Sequence, residues 1–183
     1  LRCALDSFSR KTSKILLPSG SDLMLGARTL LMGIINLSDD SFHKDSRTYG
    51  NIDTALALAL EHAENGADII DLGAESTRPG ASRISESEEI DRMIPAIKEI
   101  RRNLPMMPIS VDTTRKKTAE SALKAGADII NDISGLSFEP GIAKTAADFG
   151  AMLVIMHMRG TPQTMGAMCT YSNLLREINK FFE

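Results

Sequence analysis

Two polar residues, Asp112 and Asn131, stand where two apolar runs of the chain end, with a helical segment between the runs. A strand, a helix and a second strand in this order predict a βαβ unit, whose parallel strands end at the same edge of the sheet. Asp112 and Asn131 would then lie side by side. A carboxylate that accepts two hydrogen bonds, next to an amide that donates and accepts, suits a flat heterocycle with N–H groups on its edge. These two residues alone leave an alternative open, in which Asp112 caps the next helix and Asn131 holds a loop.

The elements that position this pair belong to a repeat. The stretch 66–73 (Gly-Ala-Asp-Ile-Ile-Asp-Leu-Gly) is echoed by 126–133 (Gly-Ala-Asp-Ile-Ile-Asn-Asp-Ile), and more weakly by 150–157. In each copy a glycine ends a helix, and the apolar run that follows is typical of a strand. The chain contains five strand-then-helix units, with strands predicted near 30–36, 68–73, 108–112, 128–131 and 151–156.

Strict alternation of strands and helices predicts an α/β fold with a parallel sheet. No glycine-rich dinucleotide or phosphate loop follows the first strand, which leaves a (β/α) barrel or part of one. In a barrel the functional side chains follow the carboxyl ends of the strands. All five predicted strands end in polar or unusual residues, so we predict a site on this rim. The rim residues are Asn36 with 38–42, 75–80, Asp112, Asn131 and 156–162.

Composition narrows the classes of partner. The 183 residues carry a net charge of −3 and no long basic run, which argues against nucleic acid binding. Cys3 and Cys169 lie far apart, a spacing that predicts neither a disulfide scaffold nor a zinc site. No apolar run approaches the ~20 residues of a membrane span. We expect an N-terminal extension over residues 1–28 and one barrel domain over 29–183.

Several segments of the chain, in order, resemble dihydropteroate synthases of the pterin-binding enzyme family. They are 32–38, 40–42, 66–81 (which contains Glu-Ser-Thr-Arg-Pro-Gly), 109–113, 126–135 and 156–162 (Met-His-Met-Arg-Gly-Thr-Pro). The resemblance implies a (β/α)8 TIM-barrel fold, of which this chain holds about the first five βα units. It implies a transferase of folate biosynthesis that joins 7,8-dihydropterin-6-ylmethyl diphosphate to 4-aminobenzoate and releases diphosphate with Mg²⁺.

The resemblance also implies roles for individual residues. Asp112 and Asn131 match the pair that binds the pterin, while Ile133 and Met156 match its apolar pocket. Core packing remains an alternative for Met156, and packing or helix capping an alternative for His157. The remaining matches are Asn36 for the metal and diphosphate, Asp40 and Phe42 of the first loop and Arg78 of the second for catalysis, and Thr77 and Pro79 for substrate binding.

The chain departs from the family pattern in its first loop. Asp39 stands where the family has proline, and His43, Lys44 and Asp45 replace a Ser-Asp-Gly region; Ala74 replaces a glycine elsewhere. The resemblance implies later barrel strands that supply further pterin and diphosphate ligands, and the 183 residues contain no counterpart of these strands. We therefore expect the 183-residue chain to be inactive alone, and the functional protein to continue further or to be completed by another polypeptide. We also expect the loops 37–51 and 75–85 to be mobile without substrates.

Two other functions stay open. One is a pterin- or folate-binding methyltransferase of the same fold, and the other is a non-catalytic pterin-binding remnant, which the altered first loop favours. The resemblance further implies a cytoplasmic enzyme, a sulfonamide target and a homodimer when full length, with small molecules as its partners and neither nucleic acid nor membrane.

Overall fold

The structure is a computed structural model that describes residues 12–37, 52–75, 84–161 and 164–183. Five parallel strands lie in chain order in one sheet, preceded by a two-stranded antiparallel hairpin. The strands are β1 (Ser13–Leu16), β2 (Asp22–Leu25), β3 (Met32–Asn36), β4 (Ile69–Gly73), β5 (Ile109–Asp112), β6 (Ile129–Asp132) and β7 (Met152–Ile155). The helices are α1 (Ile52–Glu64), α2 (Glu86–Asn103), α3 (Lys116–Ala125), α4 (Gly141–Phe149) and α5 (Leu174–Phe182), with a short 3-10 helix at Met165–Ala167.

The predicted alternation of five strands and helices is confirmed, and within these units the differences are confined to element ends. Strand β6 runs one residue beyond Asn131, to Asp132. Helix α5 begins at Leu174, because the Asn173 side chain accepts a hydrogen bond from the Arg176 backbone N–H at 3.0 Å and so caps the helix there.

The main core lies between the sheet and the helices. Successive side chains of a strand face opposite sides of the sheet. On the helix side, every strand from β3 to β6 therefore contributes a fully buried aliphatic residue to one cluster: Ile35, Leu72, Val111 and Ile130. Helix α2 supplies Met93, Ile97 and Ile100 to the same cluster. This packing holds the strand ends in fixed positions relative to one another.

The opposite face of the sheet is covered at its amino-terminal end by the β1–β2 hairpin, which the sequence did not predict. Leu17 and Leu23 of the hairpin region pack against Ile69 and Ile129. The buried Asp128 carboxylate fastens this arrangement. It accepts hydrogen bonds from the backbone N–H groups of Ser19 at 2.9 Å and Ile109 at 3.0 Å, and from the Arg101 guanidinium. The hairpin thus closes the end of the sheet away from the predicted site.

The glycines predicted to end helices do so. Gly126 and Gly150 adopt left-handed backbone conformations, with φ of 113° and 64°, and their N–H groups bond to carbonyls of α3 and α4. Position 33 requires a glycine for a different reason, because an added Cβ on Gly33 would lie 2.9 Å from the His62 ring of α1. None of the helices in the described ranges is long and apolar enough to cross a membrane.

Candidate functional site

A row of paired residues crosses the sheet at its carboxyl edge. Asn36 pairs with Gly73, Gly73 with Asp112, and Asp112 with Asn131. The last pairing places Asp112 and Asn131 side by side on neighbouring parallel strands, which lie about 4.8 Å apart. The predicted adjacency is therefore confirmed, and its origin is the βαβ connection through α3. The same row brings Asn36, two strands away, to the level of the pair.

Gly73 leaves a gap in this row. A Cβ built on Gly73 would lie 3.8 Å from Asn36 Oδ1 and 3.9 Å from Asp112 Oδ2. The oxygens of Asn36 and Asp112 therefore flank the same space, in front of a residue that has no side chain. A ligand that spans the gap can reach the amide of Asn36 and the carboxylate of Asp112 together.

A second polar layer lies one step deeper on the same face. Asp71 pairs with Ser110, and the strand positions two residues further on are Gly73 and Asp112. Asp71 is 5% exposed and Ser110 is fully buried. Within the described residues, neither Asp71 Oδ1 nor Ser110 Oγ has a hydrogen-bond partner of regular geometry. Burial raises the pKa of Asp71, and the nearby Ser110 hydroxyl and Asn131 side chain act in the opposite direction.

The surroundings of Asp112 are strongly acidic. Burial, together with the negative charges of Asp71, Glu89, Asp132 and Glu75, raises the pKa of Asp112 to about 7. A ligand that donates hydrogen bonds relieves this arrangement, because it stabilises the carboxylate that burial and like charge disfavour. A phosphate or carboxylate group in contact with Asp112 would instead increase the repulsion between negative charges. The site therefore favours an N–H-rich ring at Asp112.

Apolar groups stand beside the polar pair. The Asp132 carboxylate accepts hydrogen bonds of 2.8 Å from the N–H groups of Ser134 and Leu136, which fixes the turn that contains the half-buried Ile133. The Met156 N–H donates to the Asp132 carbonyl at 3.2 Å, so Met156 begins the rim segment directly after β7. The Met156 side chain is 40% exposed, which argues against its being a core residue and leaves it available to a ligand.

The His157 side chain packs against aromatic rings. Its ring meets the Phe181 ring edge to face, with centroids 4.9 Å apart, and lies 6.1 Å from the Tyr171 ring. This contact ties α5 to the end of β7. The packing alternative for His157 is the one that the structure favours.

Two polar features of the site, the buried Asp71 and a network of ion pairs, were not predicted from the sequence. Asp71 occupies the same place in the repeat as Asn131, so the repeat itself is a signal for it, but the register that sets its depth is not visible in the sequence. The second feature is a network around Arg115, which bonds to Glu75 and Glu89. Glu75 lies in the predicted rim segment 75–80, but its partner Arg115 lies far away in the chain, and no motif in the sequence links the two.

Several predicted site residues lie outside the described residues. These are Asp40 and Phe42 of the first loop and Thr77, Arg78 and Pro79 of the second, together with the first-loop departures Asp39, His43, Lys44 and Asp45. The predictions about them, including the mobility of the two loops, stay predictions.

Few of the described side chains at this site could ligate a metal ion. In the ranges that the structure describes, no group of three or more acidic, histidine or cysteine side chains could hold a metal ion. Asn36 offers an exposed amide oxygen toward the gap at Gly73. Magnesium is commonly held by one or two protein oxygens with the rest of its ligands from water and substrate phosphates. Asn36 fits a shared site of that kind.

Comparison with known proteins agrees with this geometry. Residues 32–183 match the family described as pterin binding enzyme. The chain belongs to this family. A dihydropteroate synthase of Synechocystis sp. is 47% identical over 167 residues, which make up 91% of this chain and 57% of the relative. The similarity thus extends over most of this chain.

Solved structures of the family extend the comparison to the fold. The dihydropteroate synthase of Xanthomonas albilineans with 4-aminobenzoic acid superposes with a TM-score of 0.80 at 34% identity, covering 93% of this chain and 59% of that one. The Burkholderia cenocepacia enzyme complexed with 7,8-dihydropteroate gives a TM-score of 0.73 at 33% identity, covering 93% and 55%.

These matches confirm the resemblance and the fold class, a partial barrel of the TIM type with five βα units. The chain spans a little more than half the length of each of these relatives.

Proposed function

We propose that this chain is the pterin-binding part of a dihydropteroate synthase, which condenses 7,8-dihydropterin-6-ylmethyl diphosphate with 4-aminobenzoate to give dihydropteroate and diphosphate. The observation that carries the proposal is the pairing of Asp112 with Asn131 in acidic surroundings at the carboxyl edge of the sheet. Family membership supplies the substrate class, and the relatives named above are synthases, which favours this reaction over that of a methyltransferase.

The pterin ring would bind through its edge and its face. Asp112 accepts hydrogen bonds from ring N–H groups, and the Asn131 amide, which both donates and accepts, matches a neighbouring donor and acceptor of the ring. Ile133 and Met156, on the adjacent turn and strand end, offer apolar contact to the ring face. Binding draws Asp112 into its ionised form, because charge-assisted hydrogen bonds offset its burial.

The reaction is a substitution at the methylene carbon attached to the ring. The bond between this carbon and the diphosphate oxygen breaks, and its electron pair leaves with the diphosphate. The amine nitrogen of 4-aminobenzoate then forms the new C–N bond and releases one proton. No protein nucleophile is needed, since the cation at the methylene carbon is conjugated with the pterin ring that Asp112 and Asn131 hold.

The remaining roles fall to residues at the rim. Asn36 would help to hold Mg²⁺, which when bound neutralises charge on the diphosphate. Arg78 can pair with phosphate or carboxylate oxygens, with Thr77 and Pro79 beside it against the substrates. Asp40 and Phe42 would stabilise the methylene cation and shield it from water. We propose further that the full-length enzyme is a cytoplasmic homodimer and a target of sulfonamides.

The test is an assay of dihydropteroate formation by the protein encoded by the natural gene, with Mg²⁺ and both substrates. We expect turnover by the wild type and a loss of kcat/KM of at least about tenfold in Asp112→Ala, the factor that corresponds to ~1.4 kcal/mol of transition-state stabilisation. Asp148→Ala, which changes an exposed carboxylate paired with Lys144, serves as the control. Transfer of a methyl group to a cobalamin acceptor without dihydropteroate formation would establish the methyltransferase instead.

A further inference from the structure

The guanidinium group of Arg115 joins the two ends of the segment 76–83. Arg115 Nη2 donates a hydrogen bond to Glu75 Oε1 at 2.8 Å and another to the Ile84 carbonyl oxygen at 2.8 Å. Glu75 stands two residues after β4, and Ile84 stands two residues before the start of α2. One nitrogen atom therefore binds a residue that follows β4 and a residue that precedes α2.

The other side of the guanidinium is anchored in the protein interior. Arg115 Nη1 donates to Glu89 Oε2 at 2.5 Å, and Glu89 of α2 is only 2% exposed. Glu89 also accepts hydrogen bonds from the hydroxyl groups of Thr113 at 2.7 Å and Thr118 at 2.9 Å. Three donors thus converge on one buried carboxylate, which fixes its position and, through it, the position of Arg115.

The network also reaches Asp112 and Asn131, here called the pterin pair. Thr113 follows Asp112 directly, and its hydroxyl oxygen accepts a hydrogen bond from the Arg115 backbone N–H at 3.1 Å. The Thr113 backbone N–H donates to the Asn131 carbonyl at 3.1 Å. Arg115 is therefore connected, through one residue, to the strand end that carries Asp112.

The chemistry of the side chain suits this position. A guanidinium presents several N–H donors in a planar fork, so that one group can bind two carboxylates and a carbonyl in fixed directions. Burial lowers the pKa of Arg115, but the bonds to Glu89 and Glu75 outweigh burial and raise it overall, so Arg115 stays charged. A lysine would keep the charge but lose the fork.

We propose that Arg115 is a positioning residue that holds Glu75 and Ile84, the two attachment points of the segment carrying Thr77, Arg78 and Pro79, in register with the pterin pair. This inference rests on the proposed function. Because Asp112 and Asn131 stand on strands that the main core holds, loss of Arg115 slows the catalytic step more than it weakens pterin binding.

The test uses three variants of the protein encoded by the natural gene. Arg115→Gln removes the charge, Arg115→Lys keeps the charge without the fork, and Glu75→Gln removes one partner while leaving the buried bond to Glu89 in place. The matched control is Arg102→Gln. The Arg102 side chain is 75% exposed and pairs with Glu99 on the surface of α2, the helix that carries Glu89.

Three quantities are measured: the Kd of a non-reactive pterin analogue, kcat/KM with 4-aminobenzoate as the varied substrate, and amide hydrogen exchange at residues 73–75 and 84–88. In Arg115→Gln we expect kcat/KM to fall at least about thirtyfold, within the ~10²-fold that a 1 Å misplacement can cost. Exchange at the two attachment points should rise about tenfold or more, as local opening becomes easier. The Kd should change by less than about fivefold, because the strands of Asp112 and Asn131 keep their core packing and only the charge balance near Asp112 shifts.

Arg115→Lys should recover part of the loss, Glu75→Gln should show a smaller one, and Arg102→Gln none. Should Arg115→Gln fail to fold, Arg115→Lys and Glu75→Gln carry the same comparison. A parallel loss of pterin affinity and kcat/KM would overturn the inference, because it would indicate general damage to the fold. A wild type that forms no dihydropteroate would refute the proposed function. Hydrogen exchange would then decide the anchoring role of Arg115 by itself, and unchanged exchange would overturn it.

Discussion

The carboxylates of Asp71 and Asp112 lie on the same face of neighbouring strands, one layer apart. Asp71 pairs with Ser110, and Asp112 follows Ser110 by two residues. The negative charge of Asp71 is the first of the charges that act with burial to raise the pKa of Asp112 to about 7. Two carboxylates so arranged, with Asp71 buried and Asp112 half-buried, cannot both ionise at low cost. A ligand that donates hydrogen bonds to Asp112 would therefore reduce the cost of ionising it.

This arrangement predicts a pH-dependent effect of Asp112→Asn on stability. The pKa of Asp112 is raised in the folded state from the ordinary 3.8 to about 7, so its contribution to stability is present below pH ~4 and is lost as the pH rises through about 7. The variant should gain up to ~4 kcal/mol in free energy of unfolding at pH 8, and the gain should vanish near pH 4. Urea denaturation across this range measures it, with Asp148→Asn as an exposed control. A difference that does not vary with pH would contradict the prediction.

The affinity for the pterin should rise with pH, whereas the contribution of Asp112 to wild-type stability falls. The ring needs the Asp112 carboxylate as an acceptor, so the affinity for a pterin analogue that does not itself titrate should fall below pH ~7, about tenfold per pH unit. Asn131→Ala should weaken binding by ~1–3 kcal/mol and keep this slope, because Asp112 remains. Asp112→Asn should abolish the slope. Calorimetric titrations from about pH 5 to 8 would measure both, and a slope that survives in Asp112→Asn would assign it to another group.

The adjacency of Asp112 and Asn131 could be predicted because it depends on local signals. Apolar runs and helix-ending glycines locate the strands, and the parallel βαβ connection makes their ends neighbours. The depth of Asp71 could not be predicted in this way. Asp71 and Asn131 have the same place in the repeat, yet Asn131 pairs at the level of Gly73, two residues above Asp71. The stagger between strands, which sets this depth, comes from the packing of the whole sheet.

The β1–β2 hairpin and the Arg115 network were missed for a related reason. The hairpin strands have only four residues each, and they are stabilised by contact of Leu17 and Leu23 with the end of the sheet rather than by their own pattern. The contacts of Arg115 with Glu75 and Glu89 span 40 and 26 residues of sequence. Such long-range ion pairs leave no periodic trace in the chain.

Gly33 should be required for the packing of α1 on β3. A Cβ at Gly33 would lie 2.9 Å from Cγ and Cδ2 of His62, so the stiff imidazole ring has to move. We expect Gly33→Ala to lower the free energy of unfolding by ~1–3 kcal/mol, as is usual for overpacking. Gly166→Ala is the control, because no atom lies within 4 Å of its added Cβ. Adding His62→Ala to Gly33→Ala should recover part of the loss, and chemical denaturation that finds no recovery would place the strain elsewhere.

Gly73 should be required for ligand binding and dispensable for the fold. A Cβ at Gly73 would make only ordinary contacts, 3.8 Å from both Asn36 Oδ1 and Asp112 Cβ, so Gly73→Ala should change the free energy of unfolding by no more than ~1 kcal/mol. The new methyl group would, however, occupy the gap between the Asn36 and Asp112 oxygens. We therefore expect the affinity for a pterin analogue to fall at least about tenfold, the equivalent of ~1.4 kcal/mol. Gly33→Ala is the matched comparison, since it should lose stability and keep its affinity in the folded fraction. Wild-type affinity in a stable Gly73→Ala protein would show that the ligand does not enter the gap between β3 and β5.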